Sequence, residues 1–400
     1  VHEICEKRKA MTSQTFVIVG GGIGGLTAAI ALAQDGHLVE VLEQAPALSA
    51  TVGAGVTLAP NAMRVYQRLG MQDALLETGV EPTRQRVQHW QDGRTLLSLD
   101  RGDEMRRKYG APYLYMHRAD LHAVLIKALE DTGRGTVRLS AAAATAVRTN
   151  GGAAVLLAGG ERVEGDVVIA ADGVKSPIRK LFEAGEPHFT GHIVWRNVVP
   201  VTEGPLADLG AFPGMHIGPG RMVVRYPVSR GTLLNLVFFA RQEGWAQEGW
   251  SIPGQRSELQ ALYGDWAPEV QTMLGAVDEG KLFKWGVFAR KPLDAWVKDG
   301  RIALLGDAAH AMTPFLGQGA SSAIEDAIIL ARCFAKDGDP AAALARYEAA
   351  RMERCAFIQA ESNANADRIQ GDEAHLYGMT NLRNEETLGL FDYDAGTVEI

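Results

Sequence analysis

The stretch FVIVGGGIGGLTAAIALAQDGHLVEVLEQ, residues 16–44, limits the fold more than any other part of the chain. Phe16 to Val19 is a short apolar run bounded by glycine and reads as a buried parallel strand. Gly20, Gly22 and Gly25 follow in G-x-G-x-x-G spacing, an alanine-rich segment reads as a helix to Gln34, and Asp35-Gly36 stops it. A second strand, Leu38 to Leu42, runs into Glu43. The first glycine permits a tight turn, and the second lets backbone N–H groups close on a pyrophosphate. The third lets helix and strand pack closely, and the helix N-terminus faces the anion. Glu43 lies where a carboxylate accepts hydrogen bonds from an adenosine ribose. A lone glycine motif is weak evidence; strand, glycines, helix, strand and terminal acid in this order imply a dinucleotide site.

A chain of 400 residues has room for two to four domains of ~100–200 residues each. Its net charge of −8 argues against a nucleic-acid partner, which calls for a basic stripe. Cys5, Cys333 and Cys355 have no metal-ligand spacing and no even count, so reduced thiols in a cytoplasmic protein and no metal are expected. No apolar run approaches the ~18 residues of a membrane span. The polar start VHEICEKRKA has no signal-peptide character, and with Met11 directly before the first strand, residues 1–10 read as an extension outside the fold.

Beyond Glu43 the pattern predicts a glycine-rich segment at Val52–Val56 and helices over 61–69 and 116–133. Strands follow around 136–139 and 153–157, and GDVVIAADG (165–173) reads as a buried strand entering a turn. From about Phe189 to Ala289, segments such as HIVWRNVVPV, RMVVRYPV and TLLNLVFFA alternate like antiparallel sheet. RIALLGDAA (301–309) restores a parallel-type strand, with helices predicted over 320–335 and 341–363. The expected class is α/β. A Rossmann-like dinucleotide domain (13–185 and 291–366) is interrupted by a mixed or antiparallel β-sheet substrate domain (186–290) and followed by a polar, poorly patterned tail (367–400).

Two more glycine–acid turns join the first. Asp172-Gly173 ends one strand, and Gly306-Asp307 ends another in IALLGDAAHAMTPFLGQGASSAIEDA. With YGAPYLYMHRADLHAVL and its HR-x-D-L pattern, these motifs resemble those of the single-component FAD-dependent aromatic hydroxylases of the para-hydroxybenzoate hydroxylase fold. Within that family the look is closest to the salicylate, 3-hydroxybenzoate and 6-hydroxynicotinate monooxygenases. The resemblance covers about residues 15–366. It implies FAD as cofactor, NADH or NADPH as transient cosubstrate, O2, and hydroxylation of a small aromatic or heteroaromatic ring through a C4a-hydroperoxyflavin. It leaves room for a homodimer and none for a membrane or nucleic-acid partner. No second G-x-G-x-x-G suits a nicotinamide cofactor, as this family leads one to expect.

The resemblance assigns Asp307 to the ribityl hydroxyls, Arg118 to the FAD phosphates or ribityl chain, and Asp172-Gly173 to the cofactor. Pro314, Gly317, Gln318 and Gly319 precede a long helix whose N-terminus would face the flavin pyrimidine end. Several relatives place a histidine just before the strand that ends in an aromatic–proline pair, and GRMVVRYPV has Met222 there. Methionine accepts no phenolic proton. Three alternatives stay open: His216 or Tyr226 is the base, Arg225 stabilises an acidic phenolate, or the substrate is not a simple hydroxybenzoate. Pro314 joins His216 and Tyr226 in the catalytic set, with Arg196, Met222, Arg225 and Phe315 facing substrate. EGWSIPG (248–254) matches only part of a flavin-halogenase signature and reads as a turn. A flavin oxidase, dehydrogenase or epoxidase on the same fold, or a non-catalytic FAD-binding redox module, are the alternatives to the hydroxylase.

Overall fold

The computed structural model describes residues 13–48, 55–201, 204–245, 252–379 and 382–400. The extension 1–10 with Cys5, residues 52–54 of the glycine-rich segment and residues 248–251 of the expected turn lie outside the described residues.

A six-stranded sheet forms the dinucleotide half, in the order Val297–Lys298, Ile302–Leu304, Val167–Ala170, Thr15–Val19, Leu38–Leu42, Gly135–Arg138. All its pairings are parallel except the Val297–Lys298 edge. Parallel strands are covered on both faces and so read as unbroken apolar runs; Phe16–Ile18 and Val167–Ala170 are fully buried. The helix Ile23–Gln34 follows the first strand and packs against the helices Gly319–Lys336 and Arg118–Asp131.

The second half is built on an eight-stranded sheet. Its order is Ile252–Pro253, Phe283–Ala289, His188–Pro200, Leu233–Arg241, Arg221–Val228, Gly214–Gly218, Arg84–His89, Thr95–Asp100. The period-two alternation of strands divides its residues between two faces. Trp195, Val223 and Phe238 pack under Leu259, Tyr263 and Val270 of the helices Arg256–Tyr263 and Pro268–Ala276. Val194, Met222, Val237 and Phe239 turn the other way, toward Phe315 of the dinucleotide half.

Several boundaries differ from the sequence reading. Arg84–His89 and Thr95–Asp100 pair into the large sheet, so the 13–185 segment lends two strands to the substrate side. The helix expected from Met116 begins at Arg118, because Leu114–His117 pairs as a strand with Gly55–Leu58. The last long helix, Pro340–Gln370, runs past Asn363. The tail is firmly packed: Leu390, Phe391 and Ala395 are buried, and Arg64 and Arg332 bond its carbonyls at 2.6–2.7 Å. No helix among the described residues is long and apolar enough to cross a membrane.

Candidate active site

The N-terminal turn has the steric form its spacing demands. Gly20 has φ +105°, and a Cβ there would lie 2.4 Å from the Ala171 carbonyl oxygen. A Cβ on Gly25 would lie 2.0 Å from the Gly20 oxygen, whereas one on Gly22 would meet nothing within 4 Å. Two glycines are therefore needed for packing, and the third leaves open room where a ligand approaches. Glu43 sits beside this turn, accepting from Gly21 N and Ala45 N at 2.8 Å each. Those bonds leave lone pairs on both oxygens for a ribose.

A cavity of about 470 Å³ begins at Gly22 and Gly24, passes Arg118, Gly173 and Asp307, and ends under the face of the large sheet that carries Met222 and Phe239. That volume lies within the range of small-molecule sites. Arg118 is exposed to this cavity and has no ion pair among the described residues. Asp307 is exposed only to the cavity and otherwise enclosed; desolvation raises its pKa, held back by His310 and Arg118. The N-terminus of Gly319–Lys336 opens onto the same space, with Gly317 in a left-handed conformation (φ +63°). Asp172 adjoins the cavity without lining it. Neither of its oxygens is hydrogen-bonded among the described residues, and burial lifts its pKa to about 6 despite the nearby Ser176 hydroxyl. Gln318 turns away, accepting from Asn61 Nδ2 at 3.2 Å. Open backbone at Gly22, an unpaired Arg118 and a cavity-facing carboxylate at Asp307 fit the phosphates and ribityl hydroxyls of FAD.

Beneath the Gly306–Asp307 turn lies a buried ion network. Asp326 accepts from Gly306 N (3.0 Å), His310 Nε2 (2.6 Å) and Arg351 Nε (2.7 Å). Arg351 also pairs with Glu325 at 2.9 Å, and Arg354 with Glu325 at 2.8 Å. His310, Asp326 and Cys355 approach as metal ligands would, but Arg351 donates to both Asp326 and Cys355. The Arg351 guanidinium supplies positive charge to this cluster from the chain itself.

At the ring end, Arg196, Met222, Tyr226, Pro314 and Phe315 all line the cavity. Arg196 is enclosed, lies 4.9 Å over the Trp285 ring, and has no ion pair or hydrogen bond among the described residues. Tyr226 stacks on Tyr115 at 4.6 Å and lies against Gly55, where a Cβ would come within 2.4 Å of its ring. Burial pushes its pKa up to about 12, with Arg196 pulling back, so it stays a neutral phenol at neutral pH and is no base.

His216 and Arg225 do not reach this chamber, which corrects the expectation for both. Strand alternation puts Met215, Met222 and Val224 on the cavity face and His216 and Arg225 on the other. There Arg225 donates to Gln88 Oε1 (2.8 Å) and His216 Nδ1 (3.3 Å). Burial and Arg225 lower the His216 pKa to about 3, leaving it neutral. Among the described residues no histidine lines the cavity.

Sequence reasoning missed the polar far end. Arg101, fully buried, donates to Gln85 (3.1 Å), Glu386 (3.2 Å) and Glu385 (3.4 Å) and lies 4.9 Å over Tyr113. Gln85, Arg101, Tyr113, Tyr115, Asn365 and Glu385 all line the cavity. The alternation in PYLYMH could have placed Tyr113 and Tyr115 on one strand face. No local signal could have joined Arg101 to the tail.

The sequence family described as the FAD binding domain matches residues 13–362. The 3-amino-4-hydroxybenzoate 2-monooxygenase PtmB3 of Streptomyces platensis is 36% identical over 364 residues, covering 90% of this chain and 88% of that protein. The 6-hydroxynicotinate 3-monooxygenase of Pseudomonas fluorescens is 36% identical over 394 residues, covering 97% of each. Among solved structures, Klebsiella pneumoniae HpxO complexed with FAD and uric acid superposes with a TM-score of 0.82 at 28% identity, covering 94% of this chain and 96% of that one. A matched family spanning most of the chain, near-full-length relatives and a cavity shaped for a flavin dinucleotide agree: the chain belongs to the FAD-binding-domain family, as one of its FAD-dependent aromatic-ring monooxygenases.

Proposed function

We propose that this enzyme hydroxylates a small aromatic or heteroaromatic ring bearing an acidic group, a carboxylate or an acidic phenol, using O2 and either NADH or NADPH as a transient cosubstrate. The observation that carries this reading is Arg196, an enclosed cation without an ion-pair or hydrogen-bond partner among the described residues, set beside the apolar and aromatic wall of a chamber that is continuous with the dinucleotide cradle. A buried guanidinium is costly unless paired, and a planar carboxylate or phenolate supplies the partner. The relatives named for 3-amino-4-hydroxybenzoate and 6-hydroxynicotinate act on rings of this size.

FAD, when bound, supplies the redox and oxygen-activating chemistry. The residues of the chain bind, orient and keep dry. Arg118 and the Ile23–Gln34 N-terminus offer positive charge to the phosphates, and Asp307 offers acceptors to the ribityl hydroxyls. Met215, Met222, Val224, Val237, Phe239 and Phe315 exclude water from the ring. Tyr226 remains protonated, so Arg196 stabilises by charge a substrate that enters already deprotonated. Dependence on NADH or NADPH suits a cytoplasmic enzyme.

The test is oxidation of NADH and NADPH by the FAD-loaded protein with salicylate, 3-hydroxybenzoate, 6-hydroxynicotinate and 3-amino-4-hydroxybenzoate, quantifying peroxide and hydroxylated product. Ring-stimulated oxidation with hydroxylated product is expected. Stimulation that yields peroxide alone would favour the oxidase alternative, and no stimulation by any ring would sink the reading.

A further inference from the structure

The Pro340–Gln370 helix holds the loop that faces the ring chamber by three rungs. Gln359 Nε2 donates to Ala311 O (3.0 Å), Ser362 Oγ to Thr313 O (2.6 Å) and Asn365 Nδ2 to Phe315 O (2.8 Å). Helix positions three apart share a face, and here they meet every second carbonyl of the loop. The third rung differs from the first two. Of these three side chains only Asn365 lines the cavity. Because its nitrogen is committed to Phe315 O, the orientation of its amide is set, and Oδ1 is left with no hydrogen-bond partner although the residue is 3% exposed.

An unpaired buried acceptor is costly, and it is commonly matched by a ligand or water. The sheet wall is apolar at Met215, Met222, Val224, Val237 and Phe239, and the amide of Gln85, which also lines the cavity, already accepts from Arg101 through its Oε1. Of the other buried cavity-lining atoms without partners, Arg196 Nε is a donor and Tyr115 Oη is a hydroxyl. The chamber therefore presents a cation on one strand and an oriented, uncharged acceptor on the facing helix.

We propose that Asn365 is a specificity-determining residue whose Oδ1 accepts a hydrogen bond from a hydroxyl or amino substituent of the ring. This inference rests on the ring-binding reading above and narrows it. The preferred ring carries an anionic group for Arg196 and, elsewhere on the ring, a hydrogen-bond donor for Asn365. Fluorinated rings of similar size, which lack the donor, bind less well.

The test is binding of 3- and 4-hydroxybenzoate against 3- and 4-fluorobenzoate, followed by the perturbation of the flavin absorbance in the FAD-loaded enzyme. Wild type should favour at least one hydroxyl compound over its fluoro counterpart by roughly three- to tenfold. Asn365→Leu should reduce that ratio to within about twofold, and Asn365→Ala gives a second reading should leucine disturb the loop. Ser362→Ala removes a rung but no cavity acceptor, so it should keep the wild-type ratio; a merely structural rung at Asn365 would behave like it. Equal binding of hydroxy and fluoro rings by wild type would overturn the Asn365 assignment while leaving the ring site intact. Loss of the preference in Tyr115→Phe but not Asn365→Leu would move the acceptor to Tyr115. Failure of wild type to bind any of the four rings would remove both this inference and the reading beneath it.

Discussion

Replacing Asp326 by asparagine tests whether the buried ion network braces the flavin side of the cavity. Asp326 is fully buried and accepts from Gly306 N, His310 Nε2 and Arg351 Nε. Removing one member of a buried ion pair costs ~3–5 kcal/mol, because the partner is left charged and unsolvated. Here His310 can shed its proton, so the loss must depend on pH. Burial opposes charge on His310, yet the Cys355 sulfur and the Asp326 carboxylate raise its pKa well above 6.5. A raised folded-state pKa contributes stability that is fully present below the unfolded value, ~6.5, and is lost as pH rises through the folded one.

In Asp326→Asn the carboxylate is gone, and burial is opposed by Cys355 alone. The folded His310 pKa then falls from its wild-type position, and the stability that protonation contributes on acidification shrinks. The stability gap between wild type and variant should widen on acidification from pH 9 to 6 by up to ~1.4 kcal/mol per pH unit, reaching at least ~3 kcal/mol at pH 6. Titration of Asp326 itself does not intrude on this window. Burial alone would raise its pKa, but His310 and Arg351 hold it at about 2, so its contribution disappears only as pH falls toward that value. Urea unfolding of both proteins at pH 6, 7.5 and 9 measures the gap. A gap that does not change with pH would mean that His310 is neutral in the folded wild type, and the reasoning would fail.

Asp307→Ala should weaken FAD retention by ~10- to 100-fold, the value of a hydrogen bond to a charged acceptor; unchanged flavin affinity in equilibrium dialysis would remove its ribityl role. Gly25→Ala should yield protein without flavin, since a Cβ 2.0 Å from the Gly20 oxygen meets rigid backbone; an FAD-replete Gly25→Ala protein would contradict the packing argument. Arg196→Met should weaken benzoate binding by ~10- to 100-fold and phenol by less than ~3-fold, because only the carboxylate loses a charge-assisted pair; equal losses for both would show that Arg196 acts through packing. Met222→His should fold, and if it alone confers turnover of a hydroxybenzoate that wild type ignores, residue 222 sets substrate choice.

The cofactor half was legible because its signals are local. Strand, glycines, helix and acid occupy residues 16–43 as consecutive pieces, and two of the glycines are demanded by a neighbour close in the fold: Gly25 by the Gly20 oxygen, Gly20 by Ala171. Asp307 was legible for the same reason, standing at the carboxyl end of its strand where a parallel sheet exposes ligand groups. The tail was not, since its anchors Arg64 and Arg332 lie far away in sequence and bond backbone carbonyls, which carry no residue identity.

The ring chamber shows only in part in the sequence, with Arg196, Met222, Tyr226, Pro314 and Phe315 placed on it and His216 and Arg225 not, for a different physical reason. Its wall is a sheet face, and a sheet has two. Nothing in GMHIG or RMVVRYPV says which half of each alternation meets the flavin, so His216 and Arg225, the more chemical residues, attracted the assignment. The register decides otherwise: once Met222 opposes Ile217 and Phe239, the cavity face is apolar and the polar residues are consumed in a buried pair behind it. An apolar wall does not abolish the need to orient a ring, so the orienting groups must stand at its edge or across from it. Arg196 stands at the edge of the wall, opposite Val237 on the neighbouring strand, and Asn365 on the facing helix. Arg196 is among the residues the sequence sets facing substrate; Asn365 stands in no motif and is noticed only because its Oδ1 is buried without a partner among the described residues. On the reading proposed above, substrate choice turns on atoms left unsatisfied in the fold, and the Asn365 amide is one that only the folded structure reveals.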